Sequence, residues 1–78
     1  MASAEKILED MRRNPSTVRF KDALKVAVSY FGTPRVHASH HIFKMPWPGD
    51  PRVNLQKDGP NAKAYQVKQL LEAIDKLK

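Results

Sequence analysis

The chain contains no cysteine, which excludes disulfide bonds and thiolate chemistry and leaves only nitrogen and oxygen ligands for any metal. It also lacks an apolar run near the roughly 20 residues that a membrane-spanning helix needs, and its N-terminus lacks the apolar stretch of a secretory signal. Glycine-rich phosphate loops and paired carboxylates are absent as well. These absences predict a cytoplasmic protein without a membrane-spanning segment or a cofactor.

Acidic residues are scarce in the middle of the chain. From Arg12 to Lys68 inclusive there are eleven lysines and arginines but only three acidic residues, and the net charge of the whole chain is +6. Such an excess attracts phosphate-bearing partners, of which RNA or DNA is the first expectation and anionic lipid the second. The same charge could serve solubility alone, so charge does not decide the function.

The remaining composition is that of an ordinary folded protein. Hydrophobic residues make up 41% and charged residues 28% of the chain. Because 78 residues can bury only one small core, we expect a single domain over residues 1–78.

Three segments have apolar residues at helical spacing. Ser3 can cap the first segment, which ends at Asn14, and the second ends at Gly32, where a left-handed residue is expected. The third runs from about residue 62 to the end. The apolar stripes are Ile7, Leu8 and Met11 in the first segment, Phe20, Leu24, Ala27, Val28 and Phe31 in the second, and Ala64, Val67, Leu70, Leu71, Ile74 and Leu77 in the third.

After Gly32 the apolar period changes to two, and several prolines confine the chain to short strands and loops. We predict strands at about 33–37, 40–45 and 52–56. A tight turn at Ala38-Ser39 would set His37 opposite His40, Val36 opposite His41 and Pro34 opposite Phe43. The predicted core face carries Val36, His41, Phe43, Met45, Val53 and Leu55, and the outer face carries Arg35, His37, His40, Ile42, Lys44, Arg52, Asn54 and Gln56.

The predicted order of elements is α-α-β-β-β-α. Helices on one face of a three-stranded antiparallel sheet make a two-layer α+β sandwich. In the loop before the third strand, Trp47 is either a stacking surface for a base or a lid over the edge of the core, and we favour the lid.

All three histidines of the chain fall on the predicted hairpin. The spacing is a poor metal site, because adjacent strand residues face apart and Asp50 is the only acid between residues 23 and 57. For His41, on the core face, packing is the favoured role. His40 is on the outer face, where an imidazole can take or give a proton.

Arg35, His37 and Lys44 accompany His40 on that face, and together they supply the groups that RNA cleavage needs. A general base removes the proton from a 2′-hydroxyl and the oxygen attacks the neighbouring phosphate. A general acid then protonates the leaving 5′-oxygen, and cations stabilise the developing charge, without any metal. From residue types alone, nucleic-acid binding without cleavage remains the first expectation.

The stretch "ASHHIF" (38–43) resembles the G-S-H-H-x-F signature of the HicA family, the toxins of HicA–HicB toxin–antitoxin pairs. "VNLQ" (53–56) followed by "AKAYQVKQLLEAI" (62–74) is similar to the last strand and C-terminal helix of that family. The N-terminal "ILEDMRRNP" and "RFKDAL" are similar to a longer-headed branch of it. The resemblance therefore covers nearly the whole chain.

The resemblance implies a double-stranded-RNA-binding-like fold and metal-independent cleavage of mRNA, repressed when a HicB-like antitoxin covers the active site. The family's catalytic histidine corresponds to His40, and we expect the free toxin to be a monomer. Ala38 stands where the family usually has glycine, which matters if the turn needs a positive φ. The side chains expected to contact RNA are those of Arg35, His37, Ser39 and Lys44.

Two alternatives to a ribonuclease toxin stay open. One is a binding module that holds structured RNA without cutting it. The other is an interaction protein whose cationic face meets an acidic protein partner.

Overall fold

The computed structural model describes residues 3–49 and 52–77, and this part of the chain contains three α-helices and a three-stranded antiparallel sheet, with the second and third helices packed against the sheet. The chain is therefore an α+β protein, as the sequence predicts. The helices are α1 (Ala4–Arg13), α2 (Phe20–Phe31) and α3 (Ala64–Leu77), with a 3-10 turn at Pro15–Thr17 between the first two. The sheet contains β1 (Arg35–His37), β2 (His40–Lys44) and β3 (Arg52–Leu55), in that spatial order.

The capping residues of α1 and α2 are those predicted from the sequence. The Ser3 hydroxyl accepts a hydrogen bond from the backbone N–H of Lys6 at 3.2 Å, which satisfies one of the free donors at the start of α1. Gly32 ends α2 with a φ of +84°, and its N–H donates to the carbonyl of Val28 at 2.9 Å. A left-handed backbone at this position favours glycine, so the sequence marks this boundary directly.

The predicted apolar stripe is right for α1 but wrong at one position in each of the other helices. Val28 and Leu77 are 41% and 40% exposed. The buried face of α2 instead includes Ala23 and Val26, because α2 contacts both α1 and the sheet and so buries more than one stripe. In α3 two residues outside the predicted stripe are buried, Ala73 and the polar Gln66, which is only 2% exposed.

The predicted strand register is confirmed. His37 pairs with His40, and Val36 pairs with His41. Val36 is nevertheless 58% exposed, which corrects the expectation that it joins the core. The reason is that β1 is a three-residue edge strand, whereas the helices pack mainly over β2 and β3. The regular pairing starts at Arg35, so the predicted pairing of Pro34 with Phe43 lies beyond it.

A second, two-stranded sheet follows β3 and was not predicted. It is formed by β4 (Lys57–Asp58) and β5 (Asn61–Ala62). The Ala62 N–H donates to the carbonyl of Val18 at 2.8 Å, and the Phe20 N–H donates to the carbonyl of Pro60 at 3.1 Å. The hairpin thus ties the start of α3 to the start of α2, but strands of two residues are too short to leave an alternation pattern in the sequence.

The core fills the space between the sheet and the helices. None of the helices in residues 3–49 and 52–77 has the length and hydropathy needed to cross a membrane.

Half-buried Trp47 packs against the edge of the core, with its ring edge-on to Phe31 at 6.5 Å and the Lys76 ammonium 4.9 Å from its centroid. This position confirms Trp47 as a lid. The largest fully buried apolar side chains are Met11, Val26, Phe43, Leu55, Val67, Leu70 and Ile74.

Candidate functional site

The outer face of the sheet, which points away from the helices, carries the polar side chains predicted for it. Pairing in β1, β2 and β3 alternates core and outer positions, so cross-strand neighbours share a face. From the turn toward the other end of the sheet, the neighbours on the outer face are His37 with His40, Arg35 with Ile42 and Asn54, and Lys44 with Arg52.

His40 lies on the outer face, as the alternation predicts, and its side chain is half-buried. Each of its two ring nitrogens is approached by an amide side chain from the neighbouring part of the chain, β3 and the residue after it. Nδ1 is 2.8 Å from the amide nitrogen of Asn54, and Nε2 is 3.3 Å from the amide nitrogen of Gln56. The imidazole is therefore fixed in orientation by side chains from β3 and the residue after it.

Gln66 continues this polar network into the interior. Its Oε1 accepts a hydrogen bond from the backbone N–H of Gln56 at 2.7 Å, and its Nε2 donates to Oε1 of the Gln56 side chain at 2.9 Å. The Tyr65 hydroxyl lies 3.3 Å from the same Nε2. Both ends of the buried amide are thus paired, which explains how a polar side chain is tolerated in the first turn of α3.

His37 and Ser39 are exposed at the turn between β1 and β2. Directly opposed residues of an antiparallel pair have Cβ atoms about 5 Å apart, so His37 is the titratable neighbour of His40. Ala38 adopts a φ of +55°, the only positive φ of a non-glycine residue in the described part of the chain. The turn therefore does require the backbone conformation that glycine adopts most easily.

A cationic cleft of about 270 Å³ lies on the outer face at the end away from the turn, with room for a phosphate group. Arg35 reaches the cleft from β1, where it is paired with Ile42, the next residue of β2 after His40 on the outer face. Lys44 is the one after that, roughly 13 Å from His40 along β2. These cations thus lie at increasing distance from the imidazole along the outer face of the sheet. The cleft is lined by Thr33, Arg35, Ile42, Lys44 and Arg52.

His41 faces the core and contributes nothing to the outer face. Its ring packs edge-on against Phe20 with 5.0 Å between centroids, and its Nδ1 is buried without a hydrogen-bond partner. In residues 3–49 and 52–77 no three histidine, aspartate or glutamate side chains group together as metal ligands would. Asp50, the acid considered for a metal site, lies outside the described residues.

Comparison with known proteins finds no family model, no curated protein and no solved structure that matches this chain.

Four residues of the site were not singled out from the sequence. Alternation had already placed Arg52, Asn54 and Gln56 on the outer face, and their spacing of two beside His40 is the signal that could have selected them. Gln66 left a weaker signal, a polar residue next to Val67 in the apolar pattern of a helix. Its partner Gln56 is ten residues away, and no local pattern reports that contact.

Proposed function

We propose that this chain is a HicA-type toxin, a metal-independent endoribonuclease in which His40 is an acid–base group. One observation carries the proposal. The first histidine of the Ser-His-His-x-Phe stretch is fixed on the outer face of the sheet, and a cleft lined by three cations lies further along the same face. The order α1, α2, β1, β2, β3 and α3, with the short β4–β5 hairpin before α3, supports the double-stranded-RNA-binding-like fold that the resemblance implies.

In the proposed reaction, the 2′-oxygen of a ribose attacks the adjacent phosphorus and the bond from phosphorus to the 5′-oxygen breaks. One imidazole takes the proton from the 2′-hydroxyl, and a second group returns a proton to the leaving 5′-oxygen. His37 is placed to be that second group because it faces His40 across the hairpin. The products are a 2′,3′-cyclic phosphate and a free 5′-hydroxyl.

The cationic cleft supplies the binding part of the function. Arg35, Lys44 and Arg52 bring three positive charges to one face, and among residues 3–49 and 52–77 the lining of the cleft contains no acidic side chain. Phosphates bound there would be held mainly by electrostatic attraction, which is weakened by salt and does not depend on base sequence. Ser39, exposed at the turn, can donate a hydrogen bond to a phosphate oxygen near His40.

The proposed partners are mRNA and a HicB-like antitoxin, and the proposed setting is the cytoplasm, where the free toxin is a monomer. An antitoxin that covers the outer face with acidic side chains would neutralise the cleft and shield His40 from RNA.

The test compares RNA cleavage by the wild-type chain, by His40→Ala and by His41→Phe. End-labelled RNA is incubated with each protein in the presence of a chelator, and the fragments are separated on a denaturing gel. We expect cleavage by the wild type and by His41→Phe, and a loss of at least about a hundredfold in His40→Ala. A 2′-deoxy substitution at the cleaved nucleotide should block the reaction. Equal cleavage by the wild type and His40→Ala would contradict the assignment.

A second candidate function is an RNA-binding module that does not cut. The observation that favours it is that amide nitrogens already lie within hydrogen-bond distance of both His40 nitrogens, so RNA must displace one of them before a proton can be exchanged. This candidate predicts salt-dependent retention of RNA without products, and binding that changes little in His40→Ala.

A further inference from the structure

We propose that Gln66 is a positioning residue that determines, through Gln56, which nitrogen of His40 carries the proton. The inference rests on the proposed ribonuclease function for its meaning in catalysis, because it assigns His40 to the role of general base. It concerns a side chain that is 2% exposed and cannot contact RNA directly.

The chain of hydrogen bonds starts at a group whose direction is fixed. The backbone N–H of Gln56 can only donate, and its acceptor is Oε1 of Gln66 at 2.7 Å. The amide of Gln66 is therefore fixed, with Nε2 as its donor end. That nitrogen donates to Oε1 of Gln56 at 2.9 Å.

The direction of the second amide follows from the first. Because Oε1 of Gln56 accepts from Gln66, the other end of the Gln56 amide is an N–H₂ group, and this group faces Nε2 of His40 at 3.3 Å. An N–H₂ group can only donate. Nε2 of His40 must therefore be the acceptor, which means that it carries a lone pair and not a proton.

The proton of the neutral imidazole must then be on Nδ1. The structure places Asn54 2.8 Å from Nδ1, and the carbonyl oxygen of Asn54 is buried without a hydrogen-bond partner when the amide nitrogen faces the ring. Rotation of this amide by 180° gives the oxygen the Nδ1 proton as its donor and moves the amide N–H₂ to the place that the oxygen held. The same rotation removes the conflict of two donor amides around one neutral imidazole.

This tautomer matches the base of the proposed reaction. The lone pair on Nε2 is held ready, and the 2′-hydroxyl of RNA would replace the Gln56 amide as its hydrogen-bond donor. His40 therefore takes the proton, and the general acid falls to exposed His37 on the facing strand.

The experiment reads the tautomer directly from long-range ¹H–¹⁵N NMR spectra of the imidazole, recorded above about pH 8, where an ordinary histidine is neutral. In the wild type we expect His40 with its proton on Nδ1. In Gln66→Glu both side-chain ends are acceptors, so Gln56 must turn its N–H₂ toward residue 66 and its oxygen toward the ring. The His40 proton should then move to Nε2.

Gln56→Glu is a second variant, because a buried carboxylate at position 66 can prevent folding. It places an acceptor oxygen against Nε2 at a half-buried position and predicts the same change of tautomer. Gln69→Glu is the matched control, with the same chemical change at an exposed position of the same helix. It should leave the His40 spectrum unchanged.

Cleavage and RNA affinity are measured on the same samples. Variants with the proton on Nε2 should cleave at least about tenfold more slowly, with RNA affinity within about twofold of the wild type. A proton on Nε2 in the wild type would overturn the positioning role even if the protein cuts RNA. A proton on Nδ1 that moves in the variants would support the role even if no cleavage is seen, so the two proposals fail separately.

Discussion

The ring of His41 packs edge-on against Phe20, with 5.0 Å between ring centroids and 65° between ring planes. Its neighbour His40 points to the opposite side of the sheet, where its ring nitrogens lie within hydrogen-bond distance of the Asn54 and Gln56 amides. Two adjacent residues of the same type thus have different environments, because successive side chains of a strand face apart. One histidine belongs to the core and the other to the candidate site.

Replacing His41 by phenylalanine should keep or raise stability. The substitution keeps the edge-on aromatic contact and removes a buried Nδ1 that has no hydrogen-bond partner, a group whose burial costs about 1–3 kcal/mol. We expect an increase of about 1 kcal/mol in the free energy of unfolding, measured by urea titration. A decrease of 1 kcal/mol or more in the free energy of unfolding would mean that the His41 imidazole makes a stabilising hydrogen bond.

Replacing Ala38 by glycine should stabilise the hairpin. Alanine at a φ of +55° has a steric cost of about 1–2 kcal/mol, which exceeds the extra backbone entropy that glycine loses on folding. We expect a gain of about 0.5–1 kcal/mol by urea unfolding. The matched control is Ala64→Gly in the first turn of α3, where the same change should cost stability. A loss at both positions would argue against strain at Ala38.

The ion pair between Arg12 and Asp75 should contribute little. The guanidinium contacts both carboxylate oxygens, at 2.6 and 3.2 Å, and joins α1 to α3. The hydrogen bond to Asp75 raises the pKa of Arg12, but the two side chains are 39% and 58% exposed, so water screens their attraction. A double-mutant cycle with Arg12→Ala and Asp75→Ala should give a coupling of about 0.2–1 kcal/mol, decreasing in 1 M salt. A larger, salt-independent coupling would contradict this.

Replacing Arg52 by glutamine should weaken RNA binding more at low salt than at high salt. If Arg52, in the lining of the cationic cleft, neutralises one RNA phosphate, the slope of log affinity against log salt should be smaller in the variant by about 1. Fluorescence anisotropy of labelled RNA over a salt series measures this slope. Arg13→Gln changes the same charge in α1, on the helical side of the molecule, and should leave the slope nearly unchanged. Equal slopes in both variants would remove Arg52 from the interface.

Several features could be read from the sequence because they depend on neighbours in the chain. Ser3 caps α1 through Lys6, Gly32 ends α2, and the two-residue turn sets His37 opposite His40. Each depends on backbone geometry or side-chain period within a few residues. The separation of His40 from His41 has the same origin, since alternation along a strand needs no tertiary contact.

What the tertiary structure alone decided is how much of each face is covered and which distant side chains meet. Val36 has the parity of a core residue but is exposed, because the helices do not extend over the edge strand. Gln66 is polar and lies outside the apolar stripe predicted for its helix, yet it is buried. It is hydrogen-bonded to Gln56, whose side chain approaches His40. Periodicity in the sequence therefore determined which face of the sheet each strand side chain takes. Burial and the contact of Gln56 with the imidazole depended on how α3 packs against the end of β3, a contact that only the folded chain creates.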